Sequence, residues 1–189
     1  EIDDNIPRPV PIPRIPLSPT NLLPPVVPLP DPLIGDFGNV VLSREPIVGE
    51  PEVVTLPESP DERRVVQRVV TTVDGVEVTV YNTHLTTEGP YRPAQLDRLF
   101  GLADQAPGPA IVAGDVNVRV DEVDPYAARE GFSRISDLRG PRCTGGTRVA
   151  IDGVYATGGV TGRQREPGRC EPSDHPWQVV DVEVPRGLN

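Results

Sequence analysis

Between residues 6 and 32 proline recurs as Pro-Arg-Pro-Val-Pro-Ile-Pro-Arg-Ile-Pro and then as Leu-Pro-Pro-Val-Val-Pro-Leu-Pro-Asp-Pro. Proline has no amide donor and a fixed φ, so this stretch can be neither helix nor central strand and favours extended polyproline II. The residues between the prolines are mostly Ile, Val and Leu, whereas a plain linker is richer in Ser, Gly and charge. Docking against the globular surface or a partner suits that composition, and a disordered arm stands as the alternative. Residues 1–35 therefore read as a proline-rich extended arm, and residues 36–189 as the folded domain.

A chain of 189 residues is long enough for one good core. Its formal charge of −10 argues against a nonspecific duplex binder, which needs a basic face. It does not exclude a phosphoester hydrolase, because bound divalent cations invert the local charge. No apolar run is long enough to span a bilayer and no signal peptide is visible, so a secreted protein is expected to have lost its leader. Cys143 and Cys170 are the whole thiol inventory. In an extracytoplasmic setting such a pair most simply forms one disulfide, worth roughly 3–4 kcal/mol on the chain-entropy model. Two unpaired cytosolic thiols are the other reading. A structural zinc site is disfavoured, since only two histidines accompany the cysteines.

From Gly38 onward the pattern changes to strands. Residues 39–43 form one, ended by Arg44-Glu45-Pro46. Residues 63–73 and 76–85 read as an antiparallel hairpin across Asp74-Gly75. In the second arm Val76, Val78 and Val80 share a parity with Asn82 and His84, so His84 is expected on the valine face at the strand's end. Residues 91–104 carry an apolar stripe of Leu96, Leu99, Phe100 and Ala103, with Pro93 suited to a first helical turn. Residues 124–130 read as a short helix with Asp124 as N-cap and Pro125 at its first position. Residues 149–156 and 178–184 complete the strands. Strands, a hairpin and few helices suggest a layered sheet-on-sheet core with helices outside.

Ala110-Ile111-Val112-Ala113 is a buried strand too short for a helix, and Gly114-Asp115-Val116-Asn117 follows it at once. The glycine permits a sharp turn, and a carboxylate and an amide then stand at the strand's carboxyl end, where layered α/β folds keep their chemistry. If the extended conformation persists, Asp115 and Asn117 leave on one face. The alternative is a Gly-Asp turn closed by an Asx side-chain bond. Polar groups also mark three other strand ends: His84 in Asn-Thr-His-Leu, Asp152 in Ile-Asp-Gly-Val, and Asp174 with His175 in Ser-Asp-His-Pro.

In this order and at these separations the four motifs resemble the endonuclease/exonuclease/phosphatase superfamily, which includes pancreatic-type deoxyribonucleases, abasic-site endonucleases, inositol polyphosphate phosphatases and bacterial sphingomyelinases. The stretch from Phe37-Gly38-Asn39 to Arg44-Glu45-Pro46-Ile47, and Arg92 with Gln95, extend the resemblance over residues 37–184. It implies a four-layer α/β sandwich of two packed mixed β-sheets flanked by helices. It also implies a divalent-metal site, usually Mg²⁺, that acts on a phosphoester: a short nucleic acid, nucleotide, phospholipid head group or sugar phosphate. Carried over residue by residue, His175 is the general base and Asp152 orients it. Asp115 positions the nucleophile, Asn117 donates to transition-state oxygens, and His84 contacts a phosphate oxygen. Asp174 binds or orients the metal. These roles suit hydrolysis, which needs an activated water, in-line geometry and neutralised phosphate charge.

The opening Glu1-Ile2-Asp3-Asp4 resembles the continuation of the family's Gln-Glu motif, which implies Glu1 at the principal metal-ligand position. A merely terminal Glu1 is the alternative. The family's first strand and helix have no counterpart ahead of it, so the amino-terminal unit is expected to be incomplete, or supplied by a protein partner or second chain. The leading expectation is a secreted, Mg²⁺-dependent phosphodiesterase or phosphatase. The other is a catalytically impaired relative that binds or assembles through its proline-rich arm.

Overall fold

The computed structural model describes residues 38–137, 150–165 and 175–185. The chain divides into two units, Glu1–Phe37 and Gly38–Asn189, and the described residues belong to the second. Glu1, the proline-rich arm, Cys143, Cys170 and Asp174 lie outside the described residues.

The fold is α/β: a six-stranded mixed sheet, a separate two-stranded sheet, and helices. In the larger sheet β1 (Glu52–Thr55), β2 (Val65–Val73), β3 (Val76–His84), β4 (Ala110–Asp115), β5 (Ser133–Arg134) and β6 (Asp152–Ala156) are ordered β1-β2-β3-β4-β6-β5. The smaller sheet pairs β7 (Thr161–Gln164) with β8 (Val180–Glu183). Helix α1 (Arg92–Ala103) makes the crossover that lets β3 and β4 run parallel, and α2 (Val120–Arg129) follows β4. No helix of the described residues is long and apolar enough to cross a membrane.

The β2–β3 hairpin turns where its residues demand it. Asp74 and Gly75 both have positive φ, 50° and 82°, the two-residue turn whose twist matches the flanking strands. Alternation then divides the sheet into two faces. Tyr81, Val112 and Tyr155 stand in register on one face, against Leu96, Leu99, Phe100 and Ala103 of α1 and Val120, Val123 and Ala127 of α2. The Phe100 ring meets Tyr155 edge-on at 5.4 Å and Phe132 at 5.6 Å. Each such side chain, fully buried, is worth about 2–3 kcal/mol of transfer free energy. This core anchors the sheet from one side.

Four local expectations are corrected. Residues 39–43 form no strand: they cross the opposite face of the sheet on side-chain bonds, Gln67 Nε2 to Asn39 O at 2.9 Å and Asn82 Nδ2 to Val40 O at 3.2 Å. No backbone ladder runs beside them among the described residues, and Val40 and Leu42 are exposed. Helix α2 begins four residues ahead of Asp124, because Val120 and Val123 must reach the core; Pro125 sits inside the helix and Asp124 pairs with Arg134 at 2.9 Å instead of capping. Three strands were not anticipated: β1, β5 and β7. The sequence of β7, Thr-Gly-Arg-Gln, has no apolar alternation to reveal it. Finally, strand geometry does not persist past Asp115.

Gly114 is where two strands come closest. It has φ +149°, and a Cβ there would lie 1.9 Å from the Thr83 carbonyl oxygen, inside the parallel β3–β4 pairing. Replacing it with alanine forces the strands apart at the site's edge, and we expect Gly114→Ala to cost about 4 kcal/mol or more in urea unfolding. Gly101 sits in the last turns of α1, and a methyl group added to it would meet nothing within 4 Å. Gly101→Ala is expected to stabilise by about 0.5–1 kcal/mol. Equal effects of the two substitutions would contradict this packing.

Candidate active site

Strand register builds the first part of the site. His84 pairs with Asp115 across β3–β4, and Asp115 with Asp152 across β4–β6, so the three form one transverse row at the sheet's edge. The row lies on the face opposite the Tyr81–Val112–Tyr155 row, as the odd separation from each of those residues requires. The parity expected for His84 holds, and pairs of residues 31 and 37 positions apart in sequence become cross-strand neighbours.

His175 joins from outside the sheet, on the segment leading into β8. Its Nδ1 stands 2.7 Å from Asp152 Oδ2, a charge-assisted hydrogen-bond distance. Its Nε2 faces Asp115 Oδ2 at 3.9 Å, and His84 Nε2 faces the same oxygen at 3.6 Å. Both separations are too long for direct hydrogen bonds. Two imidazoles thus flank one carboxylate, and one of them is anchored by a second carboxylate.

Asp115 is the most enclosed of the four, its side chain 15% exposed. Burial pushes its carboxyl above the usual carboxylate range; the neighbouring Asp152 adds to the rise, while the Asn117 N–H, His84 and His175 oppose it. Two carboxylates side by side in a half-buried pocket repel, and a proton or a cation between them relieves that repulsion. Ligand atoms of Asp115, Asp152 and His175 all lie within 4.8 Å of one another, close enough to share one ion.

Asn117 reaches the site by the route the alternative described. Its φ is +51°, its backbone N–H donates to Asp115 Oδ1 at 2.8 Å, and the pair closes an Asx turn. Its Nδ2 donates to the Leu85 carbonyl at 2.7 Å, tying the end of β4 to the end of β3. The turn and a site role are compatible, since one amide hydrogen is still uncommitted by that bond.

The loop that continues from His84 is held from beneath. Gln95, fully buried in α1, accepts from the Thr86 N–H at 2.9 Å and donates to the Pro57 carbonyl at 2.9 Å. Arg92 donates to the Thr86 and Thr87 carbonyls at 3.2 and 2.7 Å. Asp61 accepts from the Thr87 N–H at 3.2 Å and from Arg64 at 3.0 Å. The Ser59 hydroxyl above all, with donors from Thr86, Arg64 and Thr87, holds the Asp61 carboxyl well below the usual range. Sequence reasoning singled out Arg92 and Gln95 but not Ser59, Asp61 or Arg64, whose grouping depends on a loop crossing that leaves no local pattern. It also passed over Gln178, whose Nε2 donates to the Asp152 carbonyl at 3.3 Å.

The structure therefore brings His84, Asp115, Asp152 and His175 together at the sheet's edge, with Asn117 bonded to Asp115 through its backbone N–H. Glu1, Asp174 and the Cys143–Cys170 pair are outside the described residues.

Solved structures share this fold at low identity. A mannosyl-6-phosphatase of Bacteroides thetaiotaomicron is 17% identical with a TM-score of 0.58, over 74% of this chain and 67% of that one. A humanized TDP2 of D. rerio is 19% identical with a TM-score of 0.58, over 73% and 67%. A family protein of Leptotrichia buccalis is 12% identical with a TM-score of 0.59, over 75% and 64%. The chain thus spans about two thirds of the length of these structures. No curated protein matches it significantly. The family model described as "Endonuclease/Exonuclease/phosphatase family" matches residues 8–175, nearly the whole chain. With that match and a pocket assembled from the motif-bearing strand ends, the chain belongs to the endonuclease/exonuclease/phosphatase family.

Proposed function

We propose that this protein is a metal-dependent phosphoester hydrolase, a phosphodiesterase or phosphatase in which His175 takes a proton from the attacking water. The observation that carries the reading is the 2.7 Å bond from His175 Nδ1 to Asp152. That bond holds the proton on Nδ1 and leaves the Nε2 lone pair directed towards Asp115. An oxygen about 2.8 Å from both Nε2 and Asp115 Oδ2 subtends an angle near ~90° between them, so one water bonds to both groups at once. Asp115 would orient that water, and Asp152 would stabilise the imidazolium once the proton has moved. His84, on the other flank of Asp115, is placed to contact a phosphate oxygen. The second amide hydrogen of Asn117 would serve an oxygen that gains charge in the transition state.

The donor set fits a divalent cation. Asp115 and Asp152 offer hard carboxylate oxygens, suited to Mg²⁺, and their mutual repulsion is what a cation relieves. Asp115 and Asp152 would hold it. When bound, the ion neutralises charge on the phosphoryl oxygens. The convergence of the motif residues favours hydrolysis over the reading of an impaired binding or assembly protein.

In Mg²⁺ with a generic phosphodiester, His175→Ala and Asp152→Asn are each expected to lower kcat about 10²- to 10⁴-fold while the circular dichroism is retained. Unchanged turnover in His175→Ala would refute the mechanism. The pH dependence follows from Asp115. Its carboxyl is raised, so the ionised form needed by water and cation is lost as pH falls through that raised value. Mg²⁺ and the proton compete for the same oxygens, so the acid limb of the kcat/KM profile should move to lower pH as Mg²⁺ is increased. A limb independent of Mg²⁺ would place the titrating group elsewhere.

An extracytoplasmic setting, which keeps Cys143 and Cys170 oxidised, belongs to the same proposal. Thiol titration of the denatured, unreduced protein should then find no free thiol; two free thiols would overturn it.

A further inference from the structure

Trp177 is the sole tryptophan of the chain, and 58% of it is exposed. Burying a large aromatic side chain is worth more than burying an aliphatic one, so an exposed indole offers a strong contact to a flat partner. Its position is fixed on both sides by the site itself. Two residues before it, His175 is bonded to the Asp152 carboxylate; one residue after it, Gln178 donates to the Asp152 carbonyl. Pro176, between His175 and Trp177, is buried. The indole is therefore carried on a short segment pinned at both ends to the residue that orients the proposed general base. That segment cannot move far from Asp152 without breaking one of those bonds.

The net charge of the chain is −10, which does not favour a long polyanionic backbone as ligand. Among the described residues, the guanidiniums of Arg119 and Arg165 are engaged by Asp121 and Asp181. A flat π-surface beside a phosphoryl site is instead suited to a flat ring joined to the phosphate, with stacking as the source of affinity.

Resting on the phosphoester-hydrolase reading, we propose that Trp177 is the platform on which the substrate's organic part stacks, and that the preferred phosphoester carries a planar aromatic ring, a nucleobase or a simple aryl group. Because there is no other tryptophan, its fluorescence reports on this position alone. In the full chain with Mg²⁺, adenosine monophosphate is expected to quench the emission saturably, phenyl phosphate to do so more weakly, and glycerol phosphate not at all. A larger response to phenyl phosphate than to the nucleotide would assign the platform to aryl groups. An equal response to glycerol phosphate, or none to either ring, would overturn the proposal.

Kinetics separate the two readings. The preference for aryl over alkyl phosphoesters, as a ratio of kcat/KM, should fall about tenfold in Trp177→Ala through KM and recover in Trp177→Phe. A ratio unmoved by Trp177→Ala would reject the platform while leaving the hydrolase reading intact. Saturable quenching without hydrolysis of any phosphoester would uphold the ring-binding platform and reject the hydrolase reading.

Discussion

Parallel pairing of β3 with β4 is the constraint on which the site depends. It sets His84 opposite Asp115, and the antiparallel pairing of β6 then sets Asp152 beside them. Register is unforgiving, because a slip of one residue turns a side chain to the other face of the sheet. A one-residue slip of β4 would put Asp115 among the helices and Val112 in solvent. The apolar face thus fixes the polar one: Tyr81, Val112 and Tyr155 cannot pack against α1 and α2 in any other register. Gly114 permits this closeness, since no side chain fits between its Cα and Thr83.

The same economy governs the site's electrostatics. A carboxylate is costly to bury, and Asp115 is shielded by two imidazoles, one backbone N–H and a second carboxylate that works against it. That arrangement is poorly satisfied by the protein alone, as structural ion pairs are not. Asp61 offers the contrast within the same molecule. It is surrounded by donors, its carboxyl is driven down, and it serves to hold a loop. One aspartate has its carboxyl driven down and the other has it raised, and the difference lies in the balance of donors to desolvation.

Much of the site was legible because its residues sit at strand ends, where short apolar runs stop and polar residues begin. His84 could be placed on the valine face by counting twos, and the Asp74-Gly75 turn by the positive φ that such a hairpin requires. The helix after His84 could be read from its stripe of Leu96, Leu99, Phe100 and Ala103. Where reading failed, local pattern and tertiary demand disagreed. Residues 39–43 look like a strand because Val40, Val41 and Leu42 form a short apolar run between polar residues, yet a strand exists only by pairing. Asp124-Pro125 looks like a helix start, yet burial of Val120 draws the helix back a full turn.

By itself the sequence determined the central strands β2, β3 and β4, the Asp74-Gly75 turn, which polar residues stand at which strand ends, and a proline-rich stretch barred from helix and central strand. These follow from the reach of a few residues along one chain. Only the tertiary structure decided the meetings: that His175 Nδ1 is bonded to Asp152, that His84, Asp115 and Asp152 stand in one row, and that Asn117 Nδ2 ties the end of β4 to Leu85. Those contacts join segments far apart in sequence, and they come from the packing of the whole core, for which no single segment carries the information.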